Sequence, residues 1–121
     1  MPHTRQQGSD WETAAESFLQ KQGLKSLTRN FYSRFGEIDL VMLDGATVVF
    51  VEVRYRSSNY YGSGAASITH VKQRRIISAA KRFLQCKKQY AMRPCRFDVV
   101  SIGRENGRTV MNWIRSAFDA G

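Results

Sequence analysis

The sequence predicts a fold of the α/β class, an α+β arrangement in which helices pack on a mixed sheet in the order α-β-β-β-α-β. Three observations carry this. Residues 37–43 and 47–55 are apolar on both faces: Ile38, Leu40 and Met42 against Val41 and Leu43, then Val49, Val51 and Val53 against Val48 and Phe50. A strand apolar on both faces is covered on both faces. Segments 9–22 and 69–88 repeat apolar residues at helical spacing and supply the cover. Turn signals separate these segments and fix their order.

Taken in order, residues 1–8 read as a flexible tail and residues 9–121 as a single domain. Ser9 followed by Glu12 fits a capping box at the start of a helix over 9–22. Trp11, Ala14, Ala15, Phe18 and Leu19 form its apolar face, and Gly23 fits the position just past its end. Residues 25–33 read as a first, more exposed strand. Asp44-Gly45-Ala46-Thr47 is a turn between the two apolar strands. Residues 56–68, rich in serine and glycine and holding Tyr60 and Tyr61, read as a surface loop before the second helix. Residues 96–102 form a further strand, and Asn106-Gly107 is a turn signal. Residues 109–118 fit a short strand or a helical turn.

The chain has 121 residues and 13.8 kDa, enough for one core. Lysine and arginine total 19 against 10 acids, a formal charge of +9. A surplus that large on so small a domain points to a polyanion, nucleic acid first and an anionic membrane surface second. It is also uneven. Residues 53–97 hold 11 basic residues and no acid, while the remainder holds 8 basic and 10 acidic residues. The longest apolar runs are four residues, against the roughly 20 that a membrane span needs. The first ten residues lack the apolar stretch of a signal peptide, so the expected location is the cytoplasm. Cys86 and Cys95 are expected as free thiols there, and with His3 and His70 they match no common zinc spacing.

Asp39 and Glu52 each interrupt an apolar strand. If the loop spans 44–47, Leu43 pairs with Val48 and Asp39 lies directly across from Glu52. A two-residue loop at 44–45 instead sets them diagonally on one face, and only an odd-length loop separates them. Direct cross-strand neighbours have Cβ atoms about 5 Å apart. Such a pair repels itself in apolar surroundings, which raises at least one pKa. Mg²⁺ or Mn²⁺ would remove the conflict, since Mg²⁺ takes one or two carboxylates plus water and phosphate oxygens. Arg54, two residues after Glu52, shares its face. The competing reading is a structural ion-pair cluster in which Arg54 or Arg56 neutralises the acids, and spacing alone leaves the two level.

Further candidates follow. Glu12 is either the cap or a third acid of the site. Gln73 falls inside the apolar arc of the second helix near its start, where a polar group needs a partner. A ligand or a backbone hydrogen bond to a neighbouring loop serves equally. Lys72 lies at the edge of that arc. Arg74, Arg75 and Arg82 lie off it, as a solvated face or a phosphate-binding one. Tyr55, Tyr60 and Tyr61 are placed to stack on bases if they are exposed.

The motifs Arg29-Asn30-Phe31, Gly36-Glu37-Ile38-Asp39-Leu40, Phe50-Val51-Glu52-Val53-Arg54, Lys72-Gln73-Arg74-Arg75, Arg96-Phe97-Asp98-Val99-Val100 and Ala117-Phe118 occur here in that order. The chain thereby resembles the YraN family, also called UPF0102, over roughly residues 9–118. The resemblance implies a restriction-endonuclease-like core, similar to Holliday-junction resolvases and other nucleases of the PD-(D/E)XK class. It assigns Glu12 the helix glutamate, Asp39 the metal-binding aspartate, Glu52 the second carboxylate and Gln73 a helix position facing the site. Arg54 stands where the family usually has lysine. Arginine can clamp a phosphate but cannot act as a base, its pKa lying above about 12. Lys72 is the amine nearest in sequence that the helix can offer instead.

The resulting expectation is a Mg²⁺-dependent endonuclease acting on DNA rather than RNA, branched DNA included. Asp39 and Glu52 would hold the metal, and Arg56, Tyr60, Lys72, Arg74, Arg75 and Arg82 would bind nucleic acid. Resolvase-like cutting of two strands calls for a homodimer. Two rivals stand beside it: a nucleic-acid-binding module of the same fold that has lost cleavage, favoured by Arg54, and a protein-assembly partner that docks by its apolar edge strands.

Overall fold

Two-residue turns and one long crossover set the whole topology. The computed structural model describes residues 5–56 and 68–120, with side chains from Asp10 onward. Its elements are α1 (Arg5–Lys21), β1 (Lys25–Ser33), β2 (Gly36–Asp44), β3 (Thr47–Tyr55), α2 (His70–Cys86), β4 (Cys95–Glu105) and β5 (Arg108–Phe118), with a 3-10 turn at Lys88–Tyr90. The five strands form one sheet in the order β1-β2-β3-β4-β5. β3 and β4 pair parallel, and the other three pairings are antiparallel. A parallel pair needs a crossover, and α2 lies in it. This is the expected mixed α+β sheet, with residues 109–118 resolved as a strand. The expected loop at 56–68 falls largely on residues 57–67, outside the described residues.

α1 begins at Arg5, four residues before the expected start, so Ser9 lies within the helix and not at its start. Arg5, Gln6 and Gln7 are good helix formers, and nothing in them stops the helix at Ser9. Its end is as expected. Gly23 adopts φ 102°, its N–H bonds to the Gln20 carbonyl, and the Leu24 N–H bonds to the Leu19 carbonyl. This closes the last turn and drives Leu24 into the core beside Leu19. α2 is capped by Thr69, whose hydroxyl accepts the Lys72 N–H at 3.1 Å.

The β2–β3 turn is Gly45-Ala46, with Asp44 opposite Thr47 and Leu43 opposite Val48. That is the register in which Asp39 faces Glu52. Asn106 and Gly107, at φ 51° and 78°, make the matching turn between β4 and β5.

The sheet is buried on both faces. On one, Ala15 and Leu19 of α1 cover Leu40, Met42, Val49, Val51, Val100 and Ile102. On the other, Ile76, Ala79, Ala80 and Phe83 of α2 cover Val41, Val48, Phe50 and Phe97. Alternation places Ile38 with Leu40 and Met42, but Ile38 packs on the α2 side. Asn30, at φ 53°, interrupts the β1–β2 ladder opposite Asp39, and the faces exchange there. No helix among the described residues is long and apolar enough to cross a membrane.

Candidate active site

The β2–β3 ladder runs down to Leu40–Val51 and stops. The next rung would set Asp39 against Glu52. In its place the Asp39 carboxylate accepts the Val53 N–H at 2.8 Å. Glu52 is buried, and its carboxyl lies within hydrogen-bonding reach of Asp39. Burial first, then the Glu52 charge, push the Asp39 carboxyl up to about 8, with Glu12 adding to the rise and the Val53 N–H opposing it. At neutral pH the metal-free pair therefore holds a proton.

The cation that reaches this pair comes from α2. Lys72 Nζ lies 3.2 Å from Glu52 Oε2. The Thr69 cap fixes the backbone of Lys72, and its half-exposed side chain runs along the helix edge to the strand. Arg54, which with Arg56 is a candidate to neutralise the acids on the ion-pair reading, forms no ion pair among the described residues, though strand alternation puts it on the Glu52 face. Arg56 lies beyond the end of β3, its N–H bonded to the Ile102 carbonyl and its guanidinium beside Gly103.

Glu12 stands next to the pair without touching it. Arg29 bridges Glu12 and Glu16 at 3.7 and 3.6 Å. Burial raises the Glu12 pKa, and a hydrogen bond to the Asn30 side chain opposes that rise. Arg29 and Asn30, part of the Arg29-Asn30-Phe31 motif, anchor Glu12. Their signal is positional, since β1 pairs Arg29 with Leu40 beside Asp39. Gln73 donates its side-chain N–H to the Ile68 carbonyl at 3.0 Å, the backbone alternative. Arg75 and Arg82 are exposed on one flank of α2, Arg74 on another. Tyr55 stacks on Trp11 at 4.5 Å between ring centroids, and Tyr60 lies outside the described residues.

Among the described residues no three His, Cys, Asp or Glu side chains converge closely enough to make a metal cluster. The available donors are the two adjacent carboxylates, hard oxygen ligands whose repulsion a divalent cation relieves. A set of that size suits Mg²⁺ or Mn²⁺, with water and phosphate oxygens filling the remaining positions.

A second aspartate follows the same sequence signal to a different end. Asp98 is fully buried in β4. It accepts Arg96 Nε on both oxygens at 3.1 Å, Trp113 Nε1 at 2.9 Å and the Ser116 N–H at 2.9 Å. It pins a bulge between β4 and β5, where Ser116 adopts φ 50°.

The chain also compares with known sequences over nearly its whole length. The family described as "Uncharacterised protein family UPF0102" matches residues 11–102. A UPF0102 protein of Pseudomonas syringae pv. syringae is 50% identical over 119 residues, covering 97% of each chain. One from Nitrosomonas eutropha is 48% identical over 122 residues and spans both chains entirely, and one from Pseudomonas aeruginosa is 46% identical over 119 residues, 97% of this chain and 95% of its own.

Proposed function

The chain belongs to the UPF0102 family, and on that footing we propose that it is a Mg²⁺-dependent endonuclease that hydrolyses phosphodiester bonds in DNA, branched DNA included. The observation that carries this reading is the pair Asp39 and Glu52: two carboxyls pressed together at the end of a ladder, one with its pKa driven up to about 8. Nothing in a purely structural role calls for that conflict. Mg²⁺ bound at the pair would offset both charges, polarise a phosphate ester and acidify water.

The chain's own groups divide the remaining work. The Val53 N–H holds one Asp39 oxygen and so fixes the carboxylate plane. Lys72 neutralises Glu52 and stands ready to donate to a phosphate oxygen. Arg54 offers a permanent charge to the phosphate but takes no proton. Glu12, tethered by Arg29, adds negative potential beside Asp39 and so favours a cation there. The basic flank of α2 would receive the nucleic-acid backbone.

The test is a titration of Mg²⁺ and Mn²⁺ into chelator-treated protein with duplex, flap, junction and single-stranded DNA. Product is expected only with metal, and Asp39→Asn is expected to lower its rate about a hundredfold or more. Product that survives Asp39→Asn means another site or a contaminant. The Lys72–Glu52 ion pair favours a second reading, a binding module without cleavage, because it neutralises half of the pair with no metal. Salt-sensitive binding with no metal-dependent product on any substrate would select that reading.

A further inference from the structure

Away from the carboxylates, the β1–β2 turn and one flank of α2 enclose a cleft of about 710 Å³, lined by Phe31, Tyr32, Arg34, Phe35, Arg82 and Gln85 among others. Four large apolar side chains are exposed among the described residues, and two of them lie together here, Tyr32 at 69% at the end of β1 and Phe35 at 46% in the turn itself. Single exposed aromatics need no explanation. Two together at a turn built to hold still do. Ser33 Oγ accepts the N–H groups of Phe35 and Gly36 at 3.1 and 3.3 Å and donates to the Gly36 carbonyl. Gly36 lies so close to α2 that a Cβ there would meet the Arg75 Cβ at 3.2 Å. The turn therefore leans on the helix and presents its aromatics in a fixed place.

The surroundings are cationic. Arg34 lies over the Phe35 ring at 5.1 Å, and Arg82 is held to Gln85 at 3.2 Å. None of the described residues lining the cleft is acidic. On α2, Lys72, Arg75 and Arg82 fall within an arc of about 80° and span roughly 15 Å of axis, so a basic stripe runs from Glu52 to the cleft. Phe35 stands four residues from Asp39, roughly 13 Å along the strand. Aromatic faces beside a basic track are what single-stranded nucleic acid requires, because every base has a face to stack and every link a charge to neutralise.

We propose that this cleft seats unpaired nucleobases of a DNA strand whose backbone follows Lys72, Arg75 and Arg82 to the carboxylate site. The proposal rests on the nuclease reading and narrows its substrate to DNA with a single-stranded stretch beside the duplex. Binding needs no metal, so it is measured with chelator present, by fluorescence anisotropy on a blunt duplex and on the same duplex with a single-stranded tail. The double variant Tyr32→Ala/Phe35→Ala is expected to lose about tenfold in affinity for the tailed duplex and less than about twofold for the blunt one. Phe35→Trp, which keeps a stacking face, is expected to hold its affinity. The exposed Cys86 also lines the cleft and gives a second readout. In a Cys95→Ser background, saturating tailed duplex should slow alkylation of Cys86 at least about fivefold, and blunt duplex should not. Equal affinities in the double variant and the unaltered protein, or unchanged alkylation, would overturn the proposal. Missing cleavage with these results intact removes the nuclease reading alone. Lost tail selectivity with metal-dependent cleavage intact removes this proposal alone.

Discussion

Asp39 and Asp98 are written alike in the sequence, each a lone acid in an apolar strand, and the structure treats them oppositely. Asp98 receives four donor contacts, from Arg96, Trp113 and Ser116. Asp39 receives the Val53 N–H and faces a second carboxyl. Donors converging on an acid mark it as part of the scaffold. An acid set against another acid carries a conflict that a proton, Lys72 or, on the proposed reading, a bound cation relieves.

The largest expected effect would break this contrast at Asp98. Asp98→Ala removes the fully buried acceptor of the Arg96, Trp113 and Ser116 donors and should cost about 3–5 kcal/mol in urea unfolding. A loss below about 1 kcal/mol would mean that the bulge holds without it. Next comes metal. At a hundred times its dissociation constant, Mg²⁺ should stabilise the protein by about 2.7 kcal/mol and leave Asp39→Asn unchanged. Equal stabilisation of both proteins would place the ion elsewhere.

The pH dependence sharpens the contrast further. Asp39 keeps its proton up to about 8 when folded and releases it near 4 when unfolded. Between those values the folded state binds more protons, so metal-free stability falls as pH rises from about 4 to about 8 and then levels. Asp39→Asn removes that slope and should be more stable than the unaltered protein by about 2 kcal/mol at pH 8. This is less than the whole shift, because asparagine loses the proton shared with Glu52. A parallel pH profile in the variant would show that another group titrates. The smallest effect is at Lys72, whose half-exposed ammonium is screened. Lys72→Met should change stability by about 0.5 kcal/mol while lowering affinity for phosphate backbones and its dependence on salt.

What could be read in advance follows from how local the rule was. The β2–β3 turn and strand parity fix the Asp39–Glu52 register, because both act within 14 residues. The double apolar faces give the two-sided core for the same reason. Ile38 departs from alternation where the β1–β2 faces exchange, beside Asn30 at φ 53°, a feature that the β2 sequence does not display. Lys72 and Gln73 are adjacent, Gln73 inside the apolar arc of α2 and Lys72 at its edge. Which of them turns to the sheet depends on the Ile68 carbonyl, which captures Gln73, and on the buried charge of Glu52, which draws Lys72. Spacing offers Arg54, Arg56 and Lys72 as cations for the pair, and the one that pairs with Glu52 is Lys72, from the helix. The role of Asp98 is not legible from its own strand, because two of its partners, Trp113 and Ser116, lie 15 and 18 residues away on β5.

The connections between strands also decide the order in which the site is built. β2 and β3 are joined by two residues, and such hairpins close within microseconds. The parallel β3–β4 pair, and α2 between them, must wait for a much larger loop to close. Asp39 and Glu52 therefore meet early, before Lys72 can settle against them. The burial that sharpens the conflict between the two acids arrives later, with the helices that cover the sheet, so the pair is a feature of the finished fold and not of the hairpin alone.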